Sequence, residues 1–349
     1  MNQGLEGVVA AETAISMVDG QRGELIIRGY AVEDLAPNAT FEETVRILGA
    51  GEFLGGEREL QPIAYELLRA AARRKDDPMD ALRAAAGIGG APLTTFPTIV
   101  AAYWRYLHDQ EPIAPRSDLS HAANYLFMLD GTVPSAERVR GLETYLNTVV
   151  DHGLNASTFT ARVITSTGSD LVSAIVGAVG ALKGPLHGGA PGPALDMVLE
   201  IGDASRAEEV LRRKIEAGEK LMGFGHRVYK VRDPRADVLA AATERLLGGD
   251  PLYDLAKSVE KTALRLLEEY KPGRRLQTNV EFYTALLLHG LGLETALFTP
   301  TFAISRVAGW IAHCLEQKAA NRLIRPQSVY VGPRGLTWPA TREGAPRIH

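Results

Sequence analysis

The sequence predicts an all-α protein, and three observations lead to this class. Apolar residues recur at three- and four-residue steps in most segments, for example 41–50 and 60–74, as on one face of an α-helix. Helix-capping and helix-ending residues bound many of these segments. Strand-like patterns are confined to 15–30, where apolar runs flank Asp19-Gly20 as in a short hairpin, and to the short run at 328–332.

Individual helix boundaries can be read from the residue types. Ser205 and Glu208 form the pattern of a capping box at the start of a helix. Asp233, followed by proline, predicts the start of another helix, which should end near Gly248. The run 299–317 is long and largely apolar, so we expect a buried helix there. Such helices should pack by fitting ridges into grooves.

Composition restricts the class of protein. The chain has 349 residues, is 46% hydrophobic and 23% charged, and carries a net charge of −4. These values are typical of a globular protein and argue against bulk nucleic-acid binding. The N-terminus lacks a signal-peptide pattern, and the apolar run 171–182 is too short to span a membrane. The single cysteine, Cys314, lies in an apolar run and is expected to pack as a small hydrophobic residue in a cytoplasmic protein.

Two glycine-rich joints suggest how the chain is divided. They lie at 184–192 and near 288–294. A segment between two such joints would form a smaller domain inserted into a larger one. The cleft between the two domains would be a natural ligand site.

Three histidines stand in glycine-bearing segments that resemble loops: His152 in DHGLNAST, His187 in GPLHGGAP and His226 in GFGHRVYK. None has the spacing of a zinc ligand set, and no cysteine is close, so no metal site is predicted. GFGHRV begins like a dinucleotide-binding fingerprint but lacks its third glycine and its strand-to-helix context. Near neutral pH these histidines remain candidates for proton transfer.

Several residues allow both a functional and a plain structural interpretation. The glycines and cations around His226 suit an anionic ligand, but they also suit a solvated basic loop. Glu281, next to Phe282, is either a partly desolvated base or an ordinary first-turn glutamate. Arg306 lies among apolar residues and needs an anionic ligand or a buried acidic partner. Arg325 precedes a proline and by itself suggests an extended surface segment.

Taken together, the motifs resemble those of citrate synthases. They occur in the following order: GELIIRGYAVEDLA, HAANYLFMLDG, DHGLNASTFTARV, GPLHGGA, MGFGHRVYKVRDPRA, NVEFYTA, SRVAGWIAH and RPQSVY. The likeness extends from about residue 4 to 332. It implies a homodimer of nearly all-helical subunits, each with a large domain (1–188 and 292–349) and a small domain on the coenzyme A side (189–291). It also implies a transferase of the tricarboxylic acid cycle that condenses acetyl-CoA with oxaloacetate and uses no metal or permanently bound cofactor.

The resemblance also implies roles for individual residues. His187 would stabilise the enol of the thioester, and His226 would polarise and protonate the oxaloacetate carbonyl. Glu281 stands where the family usually has the aspartate that removes the methyl proton. The implied oxaloacetate ligands are His152, Arg235, Arg306 and, from the other subunit, Arg325. The implied contacts to the adenine of coenzyme A are Leu186, Met222, Gly223, Phe224 and Gly225.

Two other functions remain open at this stage. A 2-methylcitrate synthase would use propionyl-CoA, and one extra methylene changes binding by only about 1–3 kcal/mol in an apolar pocket. A non-catalytic helical binding module would share the fold without the activity, although all three histidines are present. The sequence departs from the family pattern at Glu281 and at Pro191, where many members have asparagine.

Overall fold

The computed structural model describes residues 4–5, 7–88, 90–188, 191–225, 228–229 and 231–335. The described chain is predominantly helical, as the sequence predicts. Its α-helices are α1 Val32–Asn38, α2 Phe41–Ile47, α3 Pro62–Arg74, α4 Pro78–Ala86, α5 Pro92–Leu107, α6 His121–Asp130, α7 Ala136–Val149, α8 Ala156–Ser166, α9 Leu171–Leu182, α10 Pro191–Ile201, α11 Ala207–Glu216, α12 Pro234–Leu247, α13 Pro251–Tyr270, α14 Val280–Gly290 and α15 Phe298–Ala319. Short 3-10 helices occur at Gly51–Gly55, Ala204–Arg206 and Thr295–Leu297.

The predicted hairpin is present and forms part of a three-stranded antiparallel sheet. Strand β1 (Ser16–Asp19) pairs with β2 (Glu24–Ile27), which pairs with β3 (Tyr30–Ala31). The loop between β1 and β2 has four residues, 20–23, rather than two. The strand predicted at 328–332 is wrong, because these residues are exposed and have no ladder partner in the described part of the chain.

Local hydrogen bonds explain which predicted helix starts are correct. Asp233 is confirmed as the N-cap of α12, because its side chain accepts from the Arg235 N–H. The capping box predicted at Ser205 is wrong. The carboxylate of Asp203 accepts from both the N–H and the hydroxyl of Ser205, so a 3-10 turn forms there and α11 begins only at Ala207. A competing acidic side chain two residues upstream has therefore displaced the expected cap.

Helix α15 passes through the core of the described chain, where it packs against α5, α7, α8 and α9. Trp310 and Ile304 on this helix are fully buried. Gly309 lets the helix approach α7, because a Cβ there would lie 2.3 Å from the Val150 carbonyl oxygen. Cys314 is 3% exposed, and burial raises the pKa of its thiol to about 11. The prediction of a buried helix with a packing cysteine is confirmed.

The elements between the two glycine-rich joints lie against the rest of the chain. Helix α12 packs against α7, α1 and α14. The hairpin loop approaches the segment before α12 so closely that a Cβ on Gly20 would lie 2.2 Å from the Val228 carbonyl oxygen. A small residue is therefore required at position 20. None of the helices in the described ranges is long and apolar enough to span a membrane.

Candidate active site

A cleft of about 180 Å³ lies where α8, α12, α14 and α15 approach one another. It gathers five of the residues that the sequence singles out: His152, His187, Arg235, Glu281 and Arg306. Its other lining residues are Val149, Asn155, Gly188, Val228, Val280, Thr284 and Phe302. Histidine, arginine and glutamate side chains thus meet in one small, partly apolar space, an arrangement typical of catalytic sites.

A chain of hydrogen bonds orients His187. The Trp310 indole Nε1–H donates to Ser157 Oγ over 3.1 Å, and Ser157 Oγ lies 2.8 Å from His187 Nε2. The Ser157 backbone N–H also points at this nitrogen, at 3.4 Å. Because a backbone N–H can only donate, Nε2 is the accepting nitrogen of the ring, and the serine hydroxyl donates to it as well. The ring proton of neutral His187 therefore resides on Nδ1.

His187 is neutral at physiological pH. Burial, with a further contribution from the Arg306 cation, lowers the pKa of His187 to about 4. A neutral imidazole with its proton on Nδ1 is a hydrogen-bond donor that carries no charge. Such a donor can stabilise an oxygen that gains negative charge without pairing with it beforehand.

Arg306 is a buried cation that no carboxylate contacts within the described part of the chain. Its side chain is 2% exposed, and Nε donates to the Val149 carbonyl over 2.8 Å. The guanidinium carbon lies 4.5 Å from the centre of the Phe302 ring. Burial lowers the pKa of Arg306 to about 10, although Asp151 opposes this shift. Within the described residues neither Nη atom has a hydrogen-bond partner, so this end of the side chain is suited to bind an anion.

Arg235 is also buried, but it is already paired. Nε and Nη2 bind Asp233 Oδ1 and Oδ2 over 3.0 and 2.8 Å. Burial lowers the pKa of Arg235, but the Asp233 charge outweighs it and leaves the pKa above its ordinary value. Asp233 Oδ2 also accepts from the Val280 N–H at 3.3 Å. The pair therefore joins the start of α12 to the start of α14.

Glu281 lies in the first turn of α14. Its backbone N–H donates to Oδ1 of the N-cap residue Asn279 over 3.0 Å. Burial raises the pKa of Glu281, Arg235 opposes the rise and Asp233 adds to it. The structure therefore shows both features at once: Glu281 is a first-turn glutamate, and its carboxylate is desolvated and lines the cleft. Desolvation makes it a stronger base than an exposed glutamate.

His152 interacts with a residue that the sequence analysis did not select. Its Nε2 lies 3.2 Å from the hydroxyl oxygen of Tyr229, and the two rings meet edge to face. Tyr229 is 3% exposed and follows the GFGHRV motif. Ser157, Trp310 and Asp233 were missed in the same way. Of these, only Asp233 has a local signal, because it lies two residues before Arg235.

The Gly223–Gly225 segment has an intramolecular explanation. Both glycines have positive φ, and a Cβ at Gly223 would lie 2.9 Å from Phe282 Cβ. The segment pairs with residues 277–279, since the Gly225 N–H donates to the Gln277 carbonyl. Close packing on α14 therefore requires Gly223, and the positive φ favours glycine at both positions. In this antiparallel pattern the Phe224 N–H and carbonyl point away from Thr278, to the opposite side of the Gly223–Gly225 segment.

The remaining predicted residues lie apart from the cleft or outside the described chain. Leu186 is fully exposed, and Arg325 is exposed in the extended segment after α15. His226 lies outside the described residues, as do Arg227 and Lys230. Arg232 forms ion pairs with Asp237 and Glu260, which gives it a structural partner. No group of three or more potential metal ligands occurs within the described ranges.

Comparisons with known proteins show the family to which the chain is similar. The family model described as "Citrate synthase, C-terminal domain" matches residues 4–327. The chain is 39% identical to citrate synthase 2 of Bacillus subtilis, covering 95% of this chain and 96% of the relative. It is 38% identical to a 2-methylcitrate synthase of Mycobacterium tuberculosis, covering 98% and 93%.

Solved structures give the same result. Citrate synthase from Pyrobaculum aerophilum superposes with a TM-score of 0.87 at 37% identity, covering 97% of this chain and 94% of that one. A citrate synthase from Thermoplasma acidophilum, solved as a ternary complex with carboxymethyl coenzyme A and oxaloacetate, superposes with a TM-score of 0.87 at 29% identity, covering 97% and 98%. The chain therefore belongs to the citrate synthase family of enzymes.

Proposed function

We propose that the cleft joins the methyl carbon of acetyl-CoA to the keto carbon of oxaloacetate and that hydrolysis of the thioester then gives citrate and free coenzyme A. The observation that carries this proposal is the meeting of a desolvated carboxylate, a neutral histidine and an under-paired arginine in one cleft. Neither a binding module nor a purely structural site needs a carboxylate and a histidine whose pKa values are shifted in this way.

Glu281 and His187 act together on the thioester. The Glu281 carboxylate removes a proton from the methyl group, and the C–H electron pair forms the carbon–carbon double bond of an enol. His187 donates its Nδ1–H to the thioester oxygen, which gains charge as the proton leaves. A carboxylate is a weak base for such a proton, so the reaction needs this stabilisation at the same moment.

Arg306, Arg235 and His152 hold oxaloacetate. The substrate has two carboxylates, and Arg306 offers unpaired Nη donors in a buried setting. Arg235 adds a second positive group that Asp233 holds in place. Fixing the substrate in this way brings its ketone carbon next to the enol carbon and removes much of the entropic barrier.

His226 completes the cycle in this proposal, on the strength of the family motif GFGHRV. As the enol carbon attacks the ketone, the ketone oxygen becomes an alkoxide and takes a proton from His226. Water then cleaves the thioester, so that acetyl-CoA, oxaloacetate and water yield citrate and the free thiol.

Segments 1–188 and 292–349 would form the large domain, and 189–291 would form a small domain that closes over coenzyme A, with Leu186 and Met222–Gly225 near its adenine.

The choice of acyl group is the main alternative. A propionyl group has one more methylene, and relatives of both kinds share similar identity with this chain. The test mixes the protein with oxaloacetate and either acetyl-CoA or propionyl-CoA and follows thiol release and the product mass. We expect citrate as the main product. Faster 2-methylcitrate formation would assign the alternative, and no thiol release with either thioester would refute both.

We also propose a homodimer in which Arg325 binds oxaloacetate in the partner's cleft. The segment 321–335 after α15 is exposed, and it presents apolar side chains such as Val329 and Val331 to the surface. A second copy related by a two-fold axis would cover these side chains and receive the same arginine in return. We also propose that the protein is cytoplasmic, as its sequence predicts.

Mixed dimers test the shared site. Dimers with one Arg325→Ala subunit and one Glu281→Gln subunit should regain about half of the wild-type activity if Arg325 acts across the interface, because one of the two clefts is then intact. If Arg325 acts within its own subunit, both clefts carry a defect and no activity returns. Absence of recovery in verified mixed dimers contradicts the shared site.

A further inference from the structure

The side chain of Asn279, the residue before α14, forms hydrogen bonds at both ends. Nδ2 donates to the Gly225 carbonyl over 2.7 Å, and Oδ1 accepts from the Glu281 N–H over 3.0 Å. The Asn279 backbone N–H donates to the Gly223 carbonyl over 3.0 Å. The residue is 6% exposed. A single buried amide thus joins the glycine segment to the backbone of Glu281.

Helix capping explains only one of these bonds. An N-cap needs a side-chain oxygen that accepts from the first turn, and serine, threonine and aspartate provide one as well as asparagine does. Asp250, for example, caps α13 in this way through the Leu252 N–H. The link to Gly225 also requires a donor on the same short side chain. Among residues of this length, only asparagine has an acceptor and an N–H donor at the end of its side chain.

Side chains on both sides of Asn279 are bound to α13. Glu260 on that helix is 6% exposed; its Oε1 accepts from Thr278 Oγ1 over 2.7 Å and its Oε2 from the Tyr283 hydroxyl over 2.5 Å. Burial raises the pKa of Glu260, but these hydrogen bonds outweigh it and leave the pKa below its ordinary value. The charged carboxylate therefore holds the residue before Asn279 and a residue two positions after Glu281.

We infer that Asn279 is a positioning residue, whose amide sets the place of the Glu281 carboxylate relative to the Gly223–Gly225 segment. The inference rests on the proposed function, in which Glu281 removes a proton from a thioester whose coenzyme A lies near that segment. The bond to Gly225 then fixes the distance between the base and the thioester. A displacement of about 1 Å at a reacting group costs on the order of a hundredfold in rate.

The test separates this link from the helix cap. Asn279→Ser retains an oxygen for the cap but has no N–H for Gly225. We expect kcat to fall about 10- to 100-fold, with the KM for oxaloacetate within about twofold and the melting temperature close to that of the wild type. Asn279→Ala also loses the cap, so it should match the serine variant in kcat but melt at a lower temperature. Asn279→Thr keeps the cap with more bulk and replaces Asn279→Ser if that variant does not fold.

Asp250→Ser is the matched control, because it exchanges the cap of α13 at a site that does not line the cleft. It should keep wild-type kcat. Wild-type kcat in Asn279→Ser overturns the inference. A loss of kcat that is proportional to the drop in melting temperature across the three Asn279 variants also overturns it. If the wild type and the control release no thiol with either thioester, the proposed function fails and the inference falls with it. An active wild type with an unimpaired serine variant refutes the inference alone.

Discussion

The cleft has two sides that hold their cations in opposite ways. The Arg306 side consists of Val149, His152, Asn155, His187, Gly188, Phe302 and Arg306, and the Arg235 side consists of Val228, Arg235, Val280, Glu281 and Thr284. Arg235 forms a two-bond ion pair with Asp233, whereas Arg306 binds only a backbone carbonyl and stacks on Phe302. Both guanidinium groups are buried.

This difference predicts that one arginine contributes mainly to the stability of the fold and the other mainly to substrate binding. The charge of Arg235 is compensated within the chain, so its removal would take away the cation that both carboxylate oxygens of buried Asp233 bind. The charge of Arg306 is poorly compensated, as its lowered pKa indicates. An incoming carboxylate gains most where a cation has no other partner. We therefore expect Arg235 to matter more for folding and Arg306 to matter more for oxaloacetate.

The largest expected effect is the loss of stability in Arg235→Gln. Asp233 would remain buried without its counter-charge, which costs about 3–5 kcal/mol. Denaturant unfolding measures this, with Arg265→Gln as control because Arg265 forms only exposed ion pairs. A stability loss no greater than that of the control would contradict the role given to the Arg235 pair.

The next effect is the loss of oxaloacetate affinity in Arg306→Gln. A charge-assisted hydrogen bond contributes about 1.5–3 kcal/mol, so the KM for oxaloacetate should rise up to about a hundredfold. The folded chain should lose little stability, because the lowered pKa means that burial disfavours the Arg306 cation. Steady-state kinetics and melting curves check both parts. The proposed difference between the two arginines is contradicted if Arg306→Gln unfolds as readily as Arg235→Gln and binds oxaloacetate normally.

A smaller effect is expected on the Arg306 side in Ser157→Ala. The hydroxyl that donates to His187 Nε2 would be lost, and only the longer bond from the backbone N–H at this position would remain to keep the ring proton on Nδ1. A neutral hydrogen bond contributes about 0.5–1.5 kcal/mol, so kcat should fall about tenfold or less, with the KM for oxaloacetate nearly unchanged. Ser173→Ala, which alters an exposed serine at the start of α9, is the control. Equal kcat in Ser157→Ala and Ser173→Ala would show that the Ser157 hydroxyl does not support the action of His187.

The two sides should also differ in their response to pH. Glu281 must be ionised to act as a base, and its raised pKa means that kcat begins to fall at a higher pH than it would for an ordinary glutamate. His187, with a pKa of about 4, stays neutral through this range and does not contribute. A profile of kcat from about pH 5 to 8 tests this. A kcat that stays level down to about pH 5, as it would for a glutamate at its ordinary pKa of about 4.3, would contradict it.

The sequence predicted elements with local signals well. The hairpin at Asp19, the helix start at Asp233 and the buried run around Cys314 depend on neighbouring residues, and the structure agrees with each. The error at Ser205 arose because Asp203 offered a stronger local acceptor. A predicted strand at 328–332 failed because strand pairing needs a partner elsewhere in the chain.

Partners of the cleft residues could not be predicted, because they are distant in sequence. Ser157, which fixes the tautomer of His187, lies 30 positions before it, and Trp310, which donates to Ser157, lies 153 positions after that serine. The packing role of glycine in GFGHRV was also not predicted. Gly223 meets Phe282 of α14, which lies far along the chain, and this contact is sufficient reason for a glycine there. Residue types thus indicated the chemistry, whereas tertiary packing decided its geometry.

The central claim is that Glu281 is the base in a cleft that binds oxaloacetate independently of it. One comparison of Glu281→Gln with the wild type tests this most directly, by measuring oxaloacetate binding calorimetrically and thiol release from acetyl-CoA in the same preparations. We expect binding within a few-fold of wild type, a loss of turnover of about 10²- to 10⁴-fold, and measurable activity in Glu281→Asp. Thiol release by Glu281→Gln at close to the wild-type rate would contradict the account.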